Sequence, residues 1–166
     1  HGGLLGVILA TLLFSKKIKN NFFKFSDIIS CVAPIGIFLG RIANFINGEL
    51  YGKISTAPWA VVFPQAGDEA RHPSQLYEAM LEGIILFIAI NLLAFKKKLF
   101  FKPGYISGYF LVFYATLRII GEYFREPDEH LGYFFGYFSL GVLLSLLTLV
   151  AGCLIIFLLK RNEQNN

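Results

Sequence analysis

Residues 27–47 read DIISCVAPIGIFLGRIANFIN and decide the fold of this chain. This stretch is mostly apolar, and its length matches the roughly 20 residues that a helix needs to cross a membrane. Its end and the residues directly after it carry the polar groups of Arg41, Asn44, Asn47 and Glu49. Removing a cation, two amides and a carboxylate from water is costly, so these groups need partners or a polar ligand. The stretch therefore predicts a membrane helix that ends at a functional site.

The composition of the whole chain also favours a membrane environment. Of its 166 residues, 55% are hydrophobic, only 16% are charged and 18 are phenylalanine. A soluble domain of this length cannot bury that much apolar surface, so lipid is the expected solvent. We therefore predict an all-α polytopic membrane protein with about five transmembrane helices. The apolar segments cover residues 1–14, 27–47, 76–95, 104–124 and 138–159.

One long polar stretch, residues 48–75, separates the second apolar segment from the third. We expect residues 1–166 to form a single integral membrane domain, with residues 48–75 as a small exterior cap between the second and third helices. Alternating Val61 and Phe63 within this loop suggest a short strand pair. The first segment opens on His1 without a charged leader region or a cleavage site, so it does not read as a signal peptide. We expect the domain to be incomplete at its N-terminus.

The positions of lysine and arginine orient the helices, because loops that stay in the cytoplasm collect these residues. The loops at 15–26, 96–103 and 160–166 hold Lys16, Lys17, Lys19, Lys24, Lys96, Lys97, Lys98, Lys102, Lys160 and Arg161. The opposite side holds only Lys53, Arg71 and Arg125. We therefore attribute the net charge of +4 to the membrane topology of the chain and to attraction by anionic lipid headgroups. The sequence contains no basic stripe interleaved with stacking aromatic residues, so it gives no indication of a nucleic-acid partner.

Two arginines lie inside the predicted membrane helices at the same depth. With a rise of 1.5 Å per residue, Arg41 lies about 9 Å inside the exterior end of its helix. Arg118 precedes the exterior end of the fourth segment, near Phe124, by the same number of residues. His1 also falls on the exterior side. This is the depth of a lipid headgroup phosphate.

Helical spacing places these arginines on polar faces. Arg118, Glu122 and Arg125 fall at i, i+4 and i+7, and Arg41, Asn44 and Gly48 at i, i+3 and i+7. One interpretation is an ion pair with Glu122 that only joins two helices. The other is a ligand site, because two arginines exceed one carboxylate and leave cationic capacity. Glu82, in the third segment, needs a partner that the sequence does not identify.

A second polar cluster, Arg71-His72-Pro73-Ser74-Gln75-Leu76-Tyr77-Glu78, begins the third helix. Pro73 suits a first helical turn, and the backbone N–H groups after it, which have no partner within the helix, can bind an anion. The alternative is a plain helix start with an interfacial tyrosine and a snorkelling arginine. The two interpretations are equally open for Arg71, His72 and Gln75. For His1 as well, both a structural role and a role as a base stay open.

Four motifs together resemble the prolipoprotein diacylglyceryl transferase family of bacterial plasma membranes. They are His1-Gly2-Gly3-Leu4, the ten residues from Gly40 to Glu49, the cluster from Arg71 to Glu78, and Leu117-Arg118-Ile119-Ile120-Gly121-Glu122-Tyr123-Phe124-Arg125. Their order and spacing are those of the family. The stretch from Gly40 to Glu49 is nearly diagnostic by itself.

The resemblance implies an enzyme that moves the diacylglyceryl group of phosphatidylglycerol to the lipobox cysteine of a preprolipoprotein. It implies a multi-pass protein of the bacterial inner membrane, with its site toward the periplasm and with no metal or cofactor. By motif, Arg41 and Arg118 would handle the phosphate and His1 would be the base or a positioning residue. The supporting substrate-binding residues would be Asn44, Asn47, Gly48, Glu49, Arg71, Gln75, Glu122 and Arg125.

Two other classes of function are compatible with intramembrane arginines. A transporter or channel subunit would also gather Arg, Glu and Asn, but its polar path should continue toward the cytoplasm. The cytoplasmic halves of these segments are almost uniformly apolar. A purely structural assembly protein would tolerate replacement of Arg41, Arg118 and Glu122 together by apolar residues.

Overall fold

The computed structural model describes residues 2–126 and 139–165 of the chain, and within these residues it is mainly helical. Five helices follow one another: α1 (Gly2–Lys17), α2 (Phe22–Asn47), α3 (Ser74–Lys96), α4 (Tyr105–Glu122) and α5 (Leu140–Asn165). The only named strands of the described residues are β1 (Val61–Val62) and β2 (Ala70–Arg71). Short 3₁₀ turns lie at Pro64–Ala66 and Leu99–Phe101.

Each predicted apolar segment coincides with one of these helices, which confirms an all-α membrane fold. Among the described residues, α2, α3 and α5 are long and apolar enough to cross a membrane by length and composition. Helices α1 and α4 are shorter, with 16 and 18 residues. The chain is a multi-pass membrane protein.

Helices α4 and α5 pack closely where two glycines meet. A Cβ atom on Gly152 would lie 2.9 Å from the carbonyl oxygen of Gly108, and a Cβ on Gly108 would lie 2.7 Å from Ile156. Small residues permit such backbone contact between membrane helices, where packing replaces the hydrophobic effect. The buried apolar side chains that join α2, α3 and α4 are Cys31, Leu86, Ile90, Ala94 and Ile106.

A buried carboxylate joins α2 to α4 at the end of the molecule that holds the basic loops. Asp27, 1% exposed, accepts hydrogen bonds from the backbone N–H of Gly104 (2.7 Å) and of Ser107 (2.8 Å). The hydroxyl of Ser107 donates to it as well, at 2.6 Å. These N–H groups lie at the beginning of α4, where they have no partner within the helix and favour a negative charge. Asp27 therefore fixes the height of α4 against α2.

At the opposite end, the segment between α2 and α3 forms a small β cap. Strands β1 and β2 are antiparallel, with Val61 opposite Arg71. Single bridges continue the pairing from Arg71 to Ile54 and from Gly52 to Arg125. A Cβ on Gly52 would lie 2.5 Å from the carbonyl oxygen of His72 and 2.6 Å from that of Phe124, so only glycine fits between them. The cap thus binds directly to the chain that leaves α4.

The role of Asp27 gives a stability prediction. Asp27→Asn keeps the size of the side chain but replaces a charged acceptor by a neutral one, which should lower the free energy of unfolding by about 1–3 kcal/mol. Denaturant titration in mixed micelles, followed by circular dichroism, measures this change. Asp68→Asn, at an exposed position of the cap, is the matched control and should change nothing. Equal stability of the two variants would contradict the proposed role of Asp27.

Candidate functional site

Two arginines from different helices meet at one pair of carboxylates. Nη1 of Arg41, on α2, lies 2.9 Å from Oε2 of Glu78, and Nη2 lies 3.0 Å from Oε2 of Glu82. Arg118, on α4, contacts the same two residues of α3: its Nη1 pairs with Oε1 of Glu78 and lies 3.5 Å from Oε1 of Glu82. Each carboxylate therefore bridges both guanidinium groups.

Two further residues extend these ion pairs toward the end of α4. Nη2 of Arg118 lies 2.6 Å from Oε2 of Glu122, one helical turn later. Nη1 of Arg125 lies 3.9 Å from Oε1 of Glu78. We call the six residues Arg41, Glu78, Glu82, Arg118, Glu122 and Arg125 the arginine–glutamate cluster.

The cluster is shielded from solvent, with its arginines nearer to the surface than its central carboxylates. The side chains of Glu78 and Glu82 have no exposure, whereas those of Arg41 and Arg118 are 14% and 11% exposed. Charges in such an environment interact far more strongly than in water, but each one must be paired. A small polar ligand would thus reach the guanidinium groups before the carboxylates.

Glycines and a widened helix turn bring the three helices close enough for these contacts. The segment Ala79–Ile85 of α3, which contains Glu82, has π-helical geometry, a feature that often marks functional sites. A Cβ on Gly83 would lie 2.7 Å from that of Phe38 on α2. On the other side, a Cβ on Gly121 would lie 3.2 Å from Cγ of Glu78. A larger residue at Gly83 would push α3 away from α2, and one at Gly121 would shift the side chain of Glu78.

The beginning of α5 holds the last carboxylate of the cluster. The hydroxyl of Ser139 donates to Oε1 of Glu122 at 2.7 Å and accepts from the backbone N–H of Val142 at 3.3 Å. A Cβ on Gly141 would lie only 2.5 Å from Oε1 of Glu122. The N-terminus of a helix favours a neighbouring negative charge. Glu122 is thus fixed between Arg118 and α5.

These contacts correct the charge count made from the sequence. That count set two arginines against Glu122 alone and left Glu82 without a partner, which is wrong. Among the described residues, the cluster contains three arginines and three glutamates, and both Arg41 and Arg118 contact Glu82. The count failed because it left out the carboxylates of the third segment, Glu78 and Glu82, which face two helices at once. Their i, i+4 spacing in an apolar helix was the signal to use.

The remaining predicted residues of α2 form its C-terminal turn. Gly48 adopts a left-handed conformation (φ +69°) that ends the helix, and the N–H of Glu49 donates to the carbonyl of Asn44 at 2.9 Å. The carbonyl of Asn47 accepts from Gln65 at 3.0 Å. The half-buried side-chain amide of Asn44 makes no hydrogen bond with the described residues.

The predicted residues around the start of α3 contact the cap and the turn after α2. Gln75 donates to the carbonyl of Glu49 at 2.6 Å, and Arg71 pairs with Glu126 at 3.1 Å and lies over the ring of Tyr51. Nδ1 of His72 lies 3.2 Å from the hydroxyl of Tyr77, which accepts from Trp59. Within the described chain, none of these three residues makes an ion pair or hydrogen bond with the arginine–glutamate cluster. His1 lies outside the described residues.

Comparison with known proteins identifies the family. The family model described as "Prolipoprotein diacylglyceryl transferase" matches residues 1–158. The chain belongs to this family. The resemblance drawn from the four motifs is thereby confirmed.

Three relatives show how far the family likeness extends. Three proteins named phosphatidylglycerol–prolipoprotein diacylglyceryl transferase are similar to this chain. The protein of Rickettsia akari is 51% identical over 94% of the chain and 60% of the relative. That of Aeromonas salmonicida is 45% identical over 99% of the chain and 58% of the relative, and that of Rhizobium meliloti is 49% identical over 88% and 52%. The chain thus spans about 60% or less of the length of these curated relatives.

The shared carboxylates give a prediction about coupling within the cluster. Arg41→Leu alone leaves buried carboxylates with too few partners and should lower the free energy of unfolding by about 3–5 kcal/mol. Arg41→Leu combined with Glu82→Leu removes one charge of each sign and should cost less than Arg41→Leu alone. Denaturant titration in mixed micelles gives the coupling energy of the double-mutant cycle.

The control is the exposed pair of Lys102 and Glu163, whose nitrogen and oxygen lie 3.1 Å apart. Its leucine variants should couple by less than about 1 kcal/mol, because solvent screens exposed ion pairs. Strictly additive effects at Arg41 and Glu82 would contradict the shared-carboxylate arrangement.

Proposed function

We propose that this protein transfers the diacylglyceryl group of phosphatidylglycerol to the lipobox cysteine thiol of a preprolipoprotein. The observation that carries the proposal is the meeting of Arg41 and Arg118, from separate membrane helices, at Glu78 and Glu82. Membership of the prolipoprotein diacylglyceryl transferase family supports it. The activity makes the chain a transferase of lipoprotein biosynthesis, whose lipid and protein substrates are its partners.

We place the protein in the bacterial inner membrane with its site toward the periplasm. The arginine–glutamate cluster lies where α2 and α4 end and α3 begins, next to the β cap. Asp27 and the lysine-rich connections lie at the opposite ends of these helices. Since basic loops stay in the cytoplasm, the cap formed by residues 48–75 faces the periplasm.

The guanidinium groups suit recognition of a phosphodiester. The ion pairs of Arg41 and Arg118 use only Nη1 and Nη2 among the described residues, so the Nε–H groups are left to donate elsewhere. A planar guanidinium can donate in parallel to two phosphate oxygens, which an ammonium cannot. Arg125 adds a third guanidinium, and Asn44 adds an amide one turn from Arg41. These residues would hold the headgroup at phosphate depth.

The reaction exchanges one bond for another. The cysteine sulfur attacks the glyceryl carbon that bears the phosphate ester, a carbon–sulfur bond forms, and the carbon–oxygen bond to phosphate breaks. Glycerol phosphate leaves with the bonding electrons, and the thiol proton passes to a base, for which we propose His1. A free thiol has a pKa of about 8.5, so a positive field that favours the thiolate helps the attack. The arginines also stabilise negative charge as it grows on the leaving phosphate.

A direct assay tests this proposal. The complete gene product is incubated with phosphatidylglycerol and a lipobox peptide, and mass spectrometry detects the thioether. The expected product is the peptide carrying a diacylglyceryl group, and its absence with active lipid and peptide would refute the proposal. Apolar replacement of Arg41, Arg118, Glu78 and Glu82 together removes two charges of each sign, leaves no unpaired partner among these four, and should abolish the product. Retained transfer in that variant would favour a purely structural cluster.

Conservative substitution of one arginine tests the role of the guanidinium fork. Arg41→Lys keeps the charge but loses paired donation, so turnover should fall by about 100-fold, the typical effect of losing one oriented donor at a developing anion. The same thioether assay measures it. Arg161→Lys, at the exposed end of α5, is the matched control and should transfer normally. Full activity of Arg41→Lys would exclude paired donation by Arg41.

A further inference from the structure

The formal charges of the arginine–glutamate cluster cancel within the described residues. Arg41, Arg118 and Arg125 face three carboxylates, and Glu78 and Glu82 are fully buried between two of the arginines. Pairing with Glu78 and Glu82 stabilises the two shielded arginines. The same carboxylates also lower the net positive charge that a bound phosphate would meet.

The proposed reaction changes the charge of the bound phosphate. Phosphatidylglycerol is a phosphodiester with one negative charge, whereas glycerol phosphate is a monoester that carries two above its second pKa of about 6. Unopposed arginines would bind the more highly charged product more tightly than the substrate. Such a site would release its product slowly.

We propose that Glu78 and Glu82 are specificity-determining residues that lower the affinity of the arginines for dianionic phosphate, so that a phosphodiester is bound and a phosphomonoester is released. The inference rests on the proposed function and adds a role for residues of α3. The guanidinium forks keep their local hydrogen bonds to phosphate, while the carboxylates behind them repel each additional negative charge.

The contacts indicate that both carboxylates affect both arginines. Oε1 and Oε2 of Glu82 lie 3.5 Å from Arg118 and 3.0 Å from Arg41, so removal of its charge would strengthen the positive field at both. Glu78 is placed in the same way and also approaches Arg125. Neither side chain is exposed, so solvent does not screen the repulsion.

The test measures binding of two soluble probes at about pH 8, above the second phosphate pKa of about 6. The probes are glycerol 1-phosphate, a dianion, and glycerophosphoglycerol, the monoanionic headgroup of the lipid. Isothermal titration calorimetry of the complete gene product in detergent micelles compares the wild-type protein with Glu78→Gln and Glu82→Gln. Glu163→Gln removes an exposed carboxylate at the opposite end and is the matched control.

We expect Glu82→Gln and Glu78→Gln to bind the dianion about 10-fold more tightly, with a smaller gain for the diester, as Coulomb's law requires. The control should bind both probes like the wild type. Unchanged or weaker dianion binding in both folded glutamine variants would overturn the inference and assign the carboxylates to holding the arginines in place. Absence of binding by every protein, including the glutamine variants, would also overturn it.

Measurements on the unaltered protein cover the case in which both variants fail to fold. The wild type should bind the diester at least as tightly as the monoester, and a 10-fold preference for the monoester would overturn the inference. The thioether assay separates the two proposals. Suppose that Glu82→Gln binds the dianion more tightly but the wild type transfers no diacylglyceryl group. That result would refute the proposed function and leave intact the inference that the carboxylates lower the affinity for dianionic phosphate.

Discussion

The structure depends on pairing buried charges between membrane helices. Glu78 and Glu82 have no solvent exposure, and the guanidinium groups of Arg41 and Arg118 supply the charges that they need. In a low-dielectric environment an unpaired charge is far more costly than a paired one, so α2, α3 and α4 must keep one relative position. The same constraint places two arginines side by side at one pair of carboxylates. The requirement for folding thus creates the site.

The other end of the helices has its own polar attachment. Asp27 fixes α4 against α2 about 21 Å along the helix from Arg41, at 1.5 Å per residue. With both ends fixed, α4 cannot slide along α2 without breaking buried hydrogen bonds. The close contact at Gly108 and Gly152 then adds α5 to this frame. Ser139, at the beginning of α5, orients Glu122.

The cap has a mainly connecting role in the described residues. Gly52 fits between the carbonyls of His72 and Phe124, so one residue of the cap contacts both the entry to α3 and the exit of α4. Arg71 and Gln75, which the sequence proposed as ligand-binding residues, use their described contacts to hold this cap and the turn after α2. Their proposed contact with a substrate stays a prediction.

The sequence by itself determined the helices and the family, because hydrophobic length and motifs are local features. The orientation of the helices, inferred from the basic loops, stays a prediction. The sequence also placed Arg41 and Arg118 at one depth, since helical rise is constant. Only the tertiary structure decided that Glu78 and Glu82 form ion pairs with both arginines. It also decided that the side chain of Asn44 makes no hydrogen bond with the described residues. The reason is geometric: spacing along one helix shows which residues share a face, but not which neighbouring helices that face meets. A π-helical turn and two glycines set that contact, and the charge balance of the cluster follows from it.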